Sequence, residues 1–280
     1  MSRATHAPAP AVPPPVRGGR LLAVATVSRH SLLALRVAAI LVALLCWQWA
    51  AGFASGAFPT ASASVSALWQ MAGTSAFWGA VADTAQSWVL SLAVAVVAGT
   101  AIGLTVGGSR FLTRSTRVLF DFMRTIPPVA LLPLALLQLG ATAKSAFVLA
   151  VFAAIWPMIQ QSVDAAHQVD HSLVDVVRSL RIGRFERVRR LYLPSAMPFL
   201  STGVRVAAQL CLFQTITVEL LGGAPGLGTS LQNAESANAV GDIGGIVLAA
   251  GFFGLLINTV MLAQQRRLLH WHPSVRAAAL

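Results

Sequence analysis

The chain contains few charged residues. Only 10% of its 280 residues are Asp, Glu, Lys or Arg, whereas 56% are hydrophobic and the mean hydropathy is +0.72. Soluble domains carry roughly 25% charged residues, so this composition excludes an ordinary soluble protein and predicts an integral membrane protein. Cysteine is also scarce, because only Cys46 and Cys211 occur, both inside apolar segments. A disulfide framework is therefore excluded.

A phosphate-binding loop is missing as well. The single lysine, Lys144, follows Ala143 where that motif requires Gly, and Gln138 stands six positions before it. All six histidines lie outside the apolar segments, so an intramembrane serine hydrolase would lack its base. No apolar segment holds paired carboxylates, which leaves few groups for a proton relay. The sequence predicts no catalytic residue, no metal site and no cofactor bound by this chain.

The apolar runs predict membrane-spanning helices. A helix needs about 20 apolar residues to cross the hydrocarbon core. We predict an all-α integral membrane protein with about six transmembrane helices. They are expected at about residues 37–53, within 84–109, and at about 126–139, 145–163, 197–218 and 243–264. The fifth of these carries Arg205, which could reach the cytoplasmic headgroups or line an inner vestibule.

The arginines fall in alternate loops. They occur in the N-terminal tail, between residues 110 and 124, between residues 178 and 190, and in the C-terminal tail. The other three loops hold one positive residue between them, Lys144. Because positive loops stay in the cytoplasm, both termini are predicted to be cytoplasmic.

The chain also divides by composition. Residues 1–30 are rich in Ala and Pro and are predicted to be a disordered cytoplasmic tail. Residues 31–269 are expected to form the transmembrane domain, including a cytoplasmic loop at 164–196, and residues 270–280 a cytoplasmic tail. In the outer segment 54–82, Val65, Leu68 and Trp69 suggest a short surface helix.

Two features of the spans suggest function. Pro127, Pro128 and Pro133 cannot donate backbone hydrogen bonds, so they would kink or break the third span. A broken helix in a membrane is tolerated where protein or a water-filled cavity covers it, which makes this span either a pathway wall or a structural kink. Glu219 would lie about 33 Å along the fifth span at 1.5 Å per residue, near the outer face. It is either a gate residue or a structural acid.

Glycines repeat every fourth residue in the second span, at Gly99, Gly103 and Gly107. Small residues at this spacing allow helices to approach closely. The repeat predicts either packing within the chain or a seam between two copies.

The most basic segment, residues 170–194, is patterned like a helix. Leu173, Val176, Val177 and Leu180 share one helical face, and Ser172 with Asp175 resembles a capping box. An apolar stripe outside the bilayer needs something to pack against. That could be a partner protein or anionic lipid, and a third interpretation is that the arginines only fix topology.

This segment resembles the EAA loop of permease subunits in binding-protein-dependent ABC importers. Asp175-Val176-Val177 stands for Glu-Ala-Ala, and the motif closes with Leu191 to Pro194 at the expected distance. Arg181 occupies the motif Gly position, and Gly183 is expected to supply the turn instead. The coupling residues implied by the resemblance are Leu173, Asp175, Val176, Val177, Leu180, Arg181, Gly183, Leu191, Leu193 and Pro194.

The segment 124–134 and the stretch from Glu219 to Gly228 resemble the nitrate, taurine and alkanesulfonate branch of that family. The resemblance implies a permease in the bacterial inner membrane, coupled to a separate ATPase dimer that uses ATP and Mg²⁺. It also implies a second permease, either a copy or a more regular paralogue, and a periplasmic binding protein. Membrane lipids are the remaining partner, and nucleic acid is not expected. An ion-coupled secondary transporter or a non-transport scaffold is the alternative.

Overall fold

The computed structural model describes residues 29–53, 58–168, 179–180 and 183–270. Throughout these ranges the regular structure is helical and contains no strand. The N-terminal tail, most of the predicted docking stripe and the last ten residues lie outside the described ranges. The chain divides into two compact units, residues 1–46 and 47–280.

Ten α-helices follow one another in the described ranges, with short irregular helical turns between some of them. The α-helices are α1 Arg29–Phe53, α2 Ala61–Ala72, α3 Ser75–Gly107, α4 Arg110–Thr125, α5 Leu132–Leu139, α6 Ala143–His167, α7 Arg184–Arg187, α8 Leu193–Gly222, α9 Leu227–Ser236 and α10 Val240–Leu268. A 3₁₀ turn at Pro128–Leu131 precedes α5, and a π-helical turn at Val188–Tyr192 joins α7 to α8.

Helices occupy every predicted span, but the count of six is not confirmed. Four helical stretches are long and apolar enough to cross a membrane, and a fifth is possible if the bent pair α4 and α5 counts as one span. The first predicted span corresponds to Val37–Phe53, a shorter apolar stretch of α1. The all-α membrane architecture is confirmed.

The segment between the second and third spans was predicted as a loop, and this prediction is wrong. Residues 110–125 form α4, whose start is capped by the Ser109 hydroxyl accepting a hydrogen bond from the Leu112 amide (3.4 Å). The four arginines led to the prediction of a loop, although the segment is an amphipathic helix. None of its residues is buried, and Phe111, Val118 and Phe122 are exposed.

The prolines break the third span as predicted. Ile126 ends α4 in an extended conformation (ψ 116°), because the ring of Pro127 disfavours helical geometry in the residue before it. The axis turns by 78° between α4 and the segment Pro128–Leu139. The predicted span 126–139 is therefore a turn followed by the eight-residue helix α5.

The glycine repeat packs α3 against α6 within the chain. A Cβ at Gly99 would approach Met158 Cβ to 2.8 Å, and a Cβ at Gly107 would approach Ala166 Cβ to 2.7 Å. At Gly103 a Cβ would collide with Ser162 and lie 2.5 Å from the Ile159 carbonyl oxygen. Only glycine fits at these three positions, because the two backbones are in near contact.

Small residues also form the centre of the core between α3, α6 and α8. Ala95, Ala154, Ala207 and Cys211 have no exposed surface, and small residues let the helices approach closely. The Trp88 indole of α3 donates a hydrogen bond to the Ala208 carbonyl oxygen of α8 (2.9 Å).

The short helix predicted in the segment 54–82 is present as α2. The Thr60 hydroxyl accepts a hydrogen bond from the Ala63 amide (3.2 Å) and caps it. The helix packs through Ser64 and Ala67 against Gly244 and Gly245 of α10. Of the residues that suggested the helix, Val65 and Trp69 are 57% and 83% exposed and face away from this contact, whereas Leu68 is half-buried.

Candidate functional site

A cavity of about 610 Å³ lies beside the broken segment. This volume falls within the roughly 300–1,000 Å³ of small-molecule sites. The walls come from the end of α4, the turn after it, α6 and α8. The lining residues are Arg124, Thr125, Ile126, Pro127, Pro128, Val129, Ala153, Trp156, Pro157, Gln160, Gln161, Leu210, Phe213 and Gln214.

The lining is apolar with a few polar groups and a single type of charge. Among the described residues, Arg124 is its only charged member, and the other hydrogen-bonding side chains are Thr125, Trp156 and three glutamines. The Arg124 Nη2 atom lies 3.4 Å from Asp121 Oδ1, with both side chains about half exposed. Exposed pairs of this kind contribute only ~0–1 kcal/mol, so Asp121 holds the guanidinium weakly. The one formal charge among the described lining residues is therefore positive.

A second cavity of about 410 Å³ shares Arg124 and Gln160 with the first. It is more polar, because Arg117, Asp164 and His167 contribute to its wall. Arg124 therefore lies at the border between an apolar cavity and a cavity that carries charges of both signs.

The predicted pathway residues separate in the structure. Pro127 and Pro128 line the first cavity, whereas Pro133 lies in the first turn of α5 and Glu219 lies near the end of α8, and neither lines either cavity. Of the four residues predicted to form a pathway or gate, the structure brings together only Pro127 and Pro128.

Glu219 joins three helices. Its side chain is fully buried, and its Oε2 atom accepts hydrogen bonds from the Thr84 hydroxyl (2.9 Å) and the Gly228 amide (3.0 Å). The Thr84 oxygen in turn accepts one from the Leu227 amide (2.9 Å). Since these groups belong to α3, α8 and the start of α9, the hydrogen bonds of Glu219 tie the three helices together.

The Gly-Leu-Gly stretch is shaped around this carboxylate. Gly226 has φ +151°, and a Cβ there would collide with the Glu219 carboxyl group. A Cβ at Gly228 would lie 2.5 Å from both the Ile216 carbonyl oxygen and the Leu220 amide nitrogen. Both glycines are therefore required sterically. Thr84, whose hydroxyl donates to Glu219, belongs to no motif that could have identified it from the sequence.

Part of the predicted coupling segment can be placed. Leu180 is 67% exposed, and Gly183 is exposed just before α7. A Cβ at Gly183 would meet none of the described atoms within 4 Å. Leu173, Asp175, Val176, Val177 and Arg181 lie outside the described residues.

The end of the predicted coupling motif runs into α8 without a break. Leu191 and Pro194 are half-buried and Leu193 is 49% exposed. The π-helical turn at Val188–Tyr192 leads directly to Leu193. A change in the position of this motif would therefore act on the helix that contributes Gln214 to the cavity.

Two polar side chains of the cavity were missed by sequence reasoning. The Trp156 indole nitrogen and the Gln214 amide nitrogen are buried and lack a hydrogen-bond partner. Trp156 lies in a run that is typical of an apolar helix, whereas Gln214 is an amide side chain inside the fifth predicted span, which is a signal that could have found it. Among the described residues, no group of three or more His, Cys, Asp or Glu side chains could hold a metal ion.

Comparison with known proteins identifies the family. Residues 95–271 match the family described as binding-protein-dependent transport system inner membrane component. The nitrate import permease protein of Synechocystis sp. is 30% identical over 60% of this chain and 62% of its own length. The bicarbonate transport system permease protein of Synechococcus elongatus is 29% identical over 69% of each chain. The match with the first relative thus spans less than two thirds of that protein.

The fold has a counterpart among solved structures. A chain from an inward-facing structure of the MetNI methionine ABC transporter superposes with a TM-score of 0.55, at 18% identity, over 68% of this chain and 93% of that one. At that identity the likeness concerns the fold alone. The matched family model covers more than half of the chain and includes the broken segment, the residues that line the cavity, and Glu219 with Gly228, whereas Thr84 lies before it. The protein therefore belongs to the binding-protein-dependent transport system inner membrane components.

Proposed function

We propose that this chain is the permease subunit of an ATP-driven importer and carries a small oxyanion across the bacterial inner membrane. The observation that carries this proposal is the cavity beside the broken helix, where Arg124 is the only charged lining residue in the part of the chain that the structure describes. A helix broken at membrane depth is tolerated where it lines a cavity. A lining without carboxylates favours an anionic solute.

The relatives support the same class of substrate. Their names specify nitrate and bicarbonate, which are both small oxyanions, and a sulfonate has the same donor requirements. The substrate would be delivered by a periplasmic binding protein, and a second permease subunit would complete the pathway.

Energy would come from a separate ATPase that docks on the segment 170–194. The chain lacks a phosphate loop, so ATP and Mg²⁺ would be bound by that partner. The stripe that includes Leu173 and Val177 would enter a cleft on the ATPase. The arginines around it would set topology and add weak surface attraction.

Substitution of the stripe tests this coupling. We expect Leu173→Asp and Val177→Asp to insert normally but to abolish uptake, because each would place a charge in an apolar cleft. The measurement is uptake of labelled nitrate by vesicles that hold the complete transporter, together with co-purification of the ATPase.

Arg189→Ala is the matched control, because Arg189 lies in the same basic segment and is exposed. Its uptake should stay within about twofold of the unmodified protein, since exposed charges contribute ~0–1 kcal/mol. Normal co-purification and uptake in both Asp variants would contradict the docking assignment. Complete loss in Arg189→Ala would assign coupling to the charges rather than to the stripe.

A further inference from the structure

Resting on the proposed function, we propose that Trp156 and Gln214 form an oxyanion subsite in the first cavity, with Arg124 at its border. Both side chains line the cavity. Both carry a buried nitrogen donor with no hydrogen-bond partner. Buried donors are almost always paired in native proteins, so two unpaired donors at one cavity indicate a ligand that accepts hydrogen bonds.

Three other tryptophans in the described part of the chain have a partner for the indole nitrogen. Trp47, Trp78 and Trp88 each donate to a backbone carbonyl oxygen, at 3.1, 2.8 and 2.9 Å. Trp156 lies against Phe120 and Phe152, whose rings support it at centroid distances of 6.3 and 5.6 Å. These aromatic neighbours fix the ring but offer no acceptor.

Gln214 is the deeper of the two residues, with only 2% of its surface exposed. Rotation of its terminal torsion exchanges the amide nitrogen and oxygen, so the donor can turn toward a solute without moving α8. Gln209, five residues earlier, already pairs its amide with Asn258 Oδ1 at 3.1 Å. Gln214 is thus an available donor on that helix.

Uncharged donors suit transport. A site must bind a solute well enough to admit it and weakly enough to release it. Neutral N–H groups meet an oxyanion without the strong attraction of a buried cation, and Arg124 then offers a charge at the border with the second, more polar cavity. The anion would pass from Gln214 and Trp156 to Arg124, and from there to the wall that holds Arg117 and His167.

The test uses the complete transporter in lipid nanodiscs and vesicles, with nitrate and methanesulfonate as probes. First, ¹⁵N-indole NMR is recorded during titration with each probe, and Trp156→Phe identifies the resonance. We expect that resonance to shift saturably with the oxyanions, and the Trp69 resonance, from a residue that is 83% exposed, to stay in place.

Second, uptake is measured with saturating binding protein for Trp156→Phe, Gln214→Leu and Gln214→Glu. We expect turnover to fall at least about tenfold in each, and most in Gln214→Glu, which keeps the side-chain size but presents a carboxylate to the anion. The control Gln232→Leu changes an exposed glutamine of α9 and should leave turnover unchanged.

The two proposals fail differently. An unshifted Trp156 resonance, or variant turnover within twofold of the unmodified protein while that protein imports an oxyanion, would overturn the subsite alone. A transporter that imports neither probe, nor bicarbonate, would overturn the proposed oxyanion function. A saturable shift with reduced variant turnover supports the subsite.

Discussion

Removal of the Glu219 carboxylate should loosen the junction of α3, α8 and α9. In Glu219→Ala, the Gly228 amide and the Thr84 hydroxyl both lose the acceptor that they share. A buried polar group left without a partner costs about 1–3 kcal/mol. Two such groups give a loss of roughly 2–6 kcal/mol in the free energy of unfolding, before the cavity left by the side chain is counted.

Glu219→Gln should cost much less. Its amide oxygen can replace Oε2 as the acceptor, and its nitrogen would take the place of Oε1, which has no hydrogen-bond partner in the structure. The order of stability is therefore expected to be unmodified protein, then Glu219→Gln, then Glu219→Ala.

Thermal unfolding of the purified complex in detergent measures this order. At roughly 2–4 °C per kcal/mol for chains of this size, Glu219→Ala should lower the midpoint by on the order of 10 °C. The control is Glu235→Ala, an exposed glutamate in α9, whose change should stay within about 0.5 kcal/mol. Equal midpoints for Glu219→Ala and Glu235→Ala would refute the reasoning.

Two further predictions concern packing. Gly103→Ala should destabilise the protein by about 1–3 kcal/mol relative to Gly79→Ala, since a Cβ at Gly79 on the same helix meets nothing within 4 Å; equal unfolding midpoints would contradict the close contact of α3 with α6. Trp88→Phe should cost about 0.5–1.5 kcal/mol for its hydrogen bond plus a cavity. Trp78→Phe removes a similar bond at a 58% exposed residue and should cost less, which denaturant titration of both variants would measure.

Much of the fold was predictable because apolar runs report directly on burial in lipid. The helices appear where those runs are, and the break at Pro127 follows from ring chemistry alone. The failure at α4 has a physical cause: a criterion based on charge treats any arginine-rich stretch as a loop. In an amphipathic helix the arginines and the phenylalanines lie on different faces. A count of charges along the sequence does not detect this arrangement.

The site was less predictable for another reason. Proline at a break is visible locally, so Pro127 and Pro128 were found. The partners of Glu219 are not visible, because Thr84 lies 135 positions away. Gln214 and Trp156 are of interest only because their nitrogen donors have no hydrogen-bond acceptor nearby. Whether an acceptor lies nearby depends on how the chain packs.

The glycine contacts between α3 and α6 have a mechanical consequence. The backbones of α3 and α6 touch at Gly99, Gly103 and Gly107. No side chains separate the two helices there and could adjust during a movement, so we expect the helices to move as one rigid body. The wall across the cavity contains Pro127 and Pro128. Proline has no backbone N–H group, so these two residues cannot donate hydrogen bonds that would hold the wall to a neighbouring segment. Any motion that opens the cavity to one side would therefore be concentrated at this wall, with the α3–α6 pair as the fixed frame.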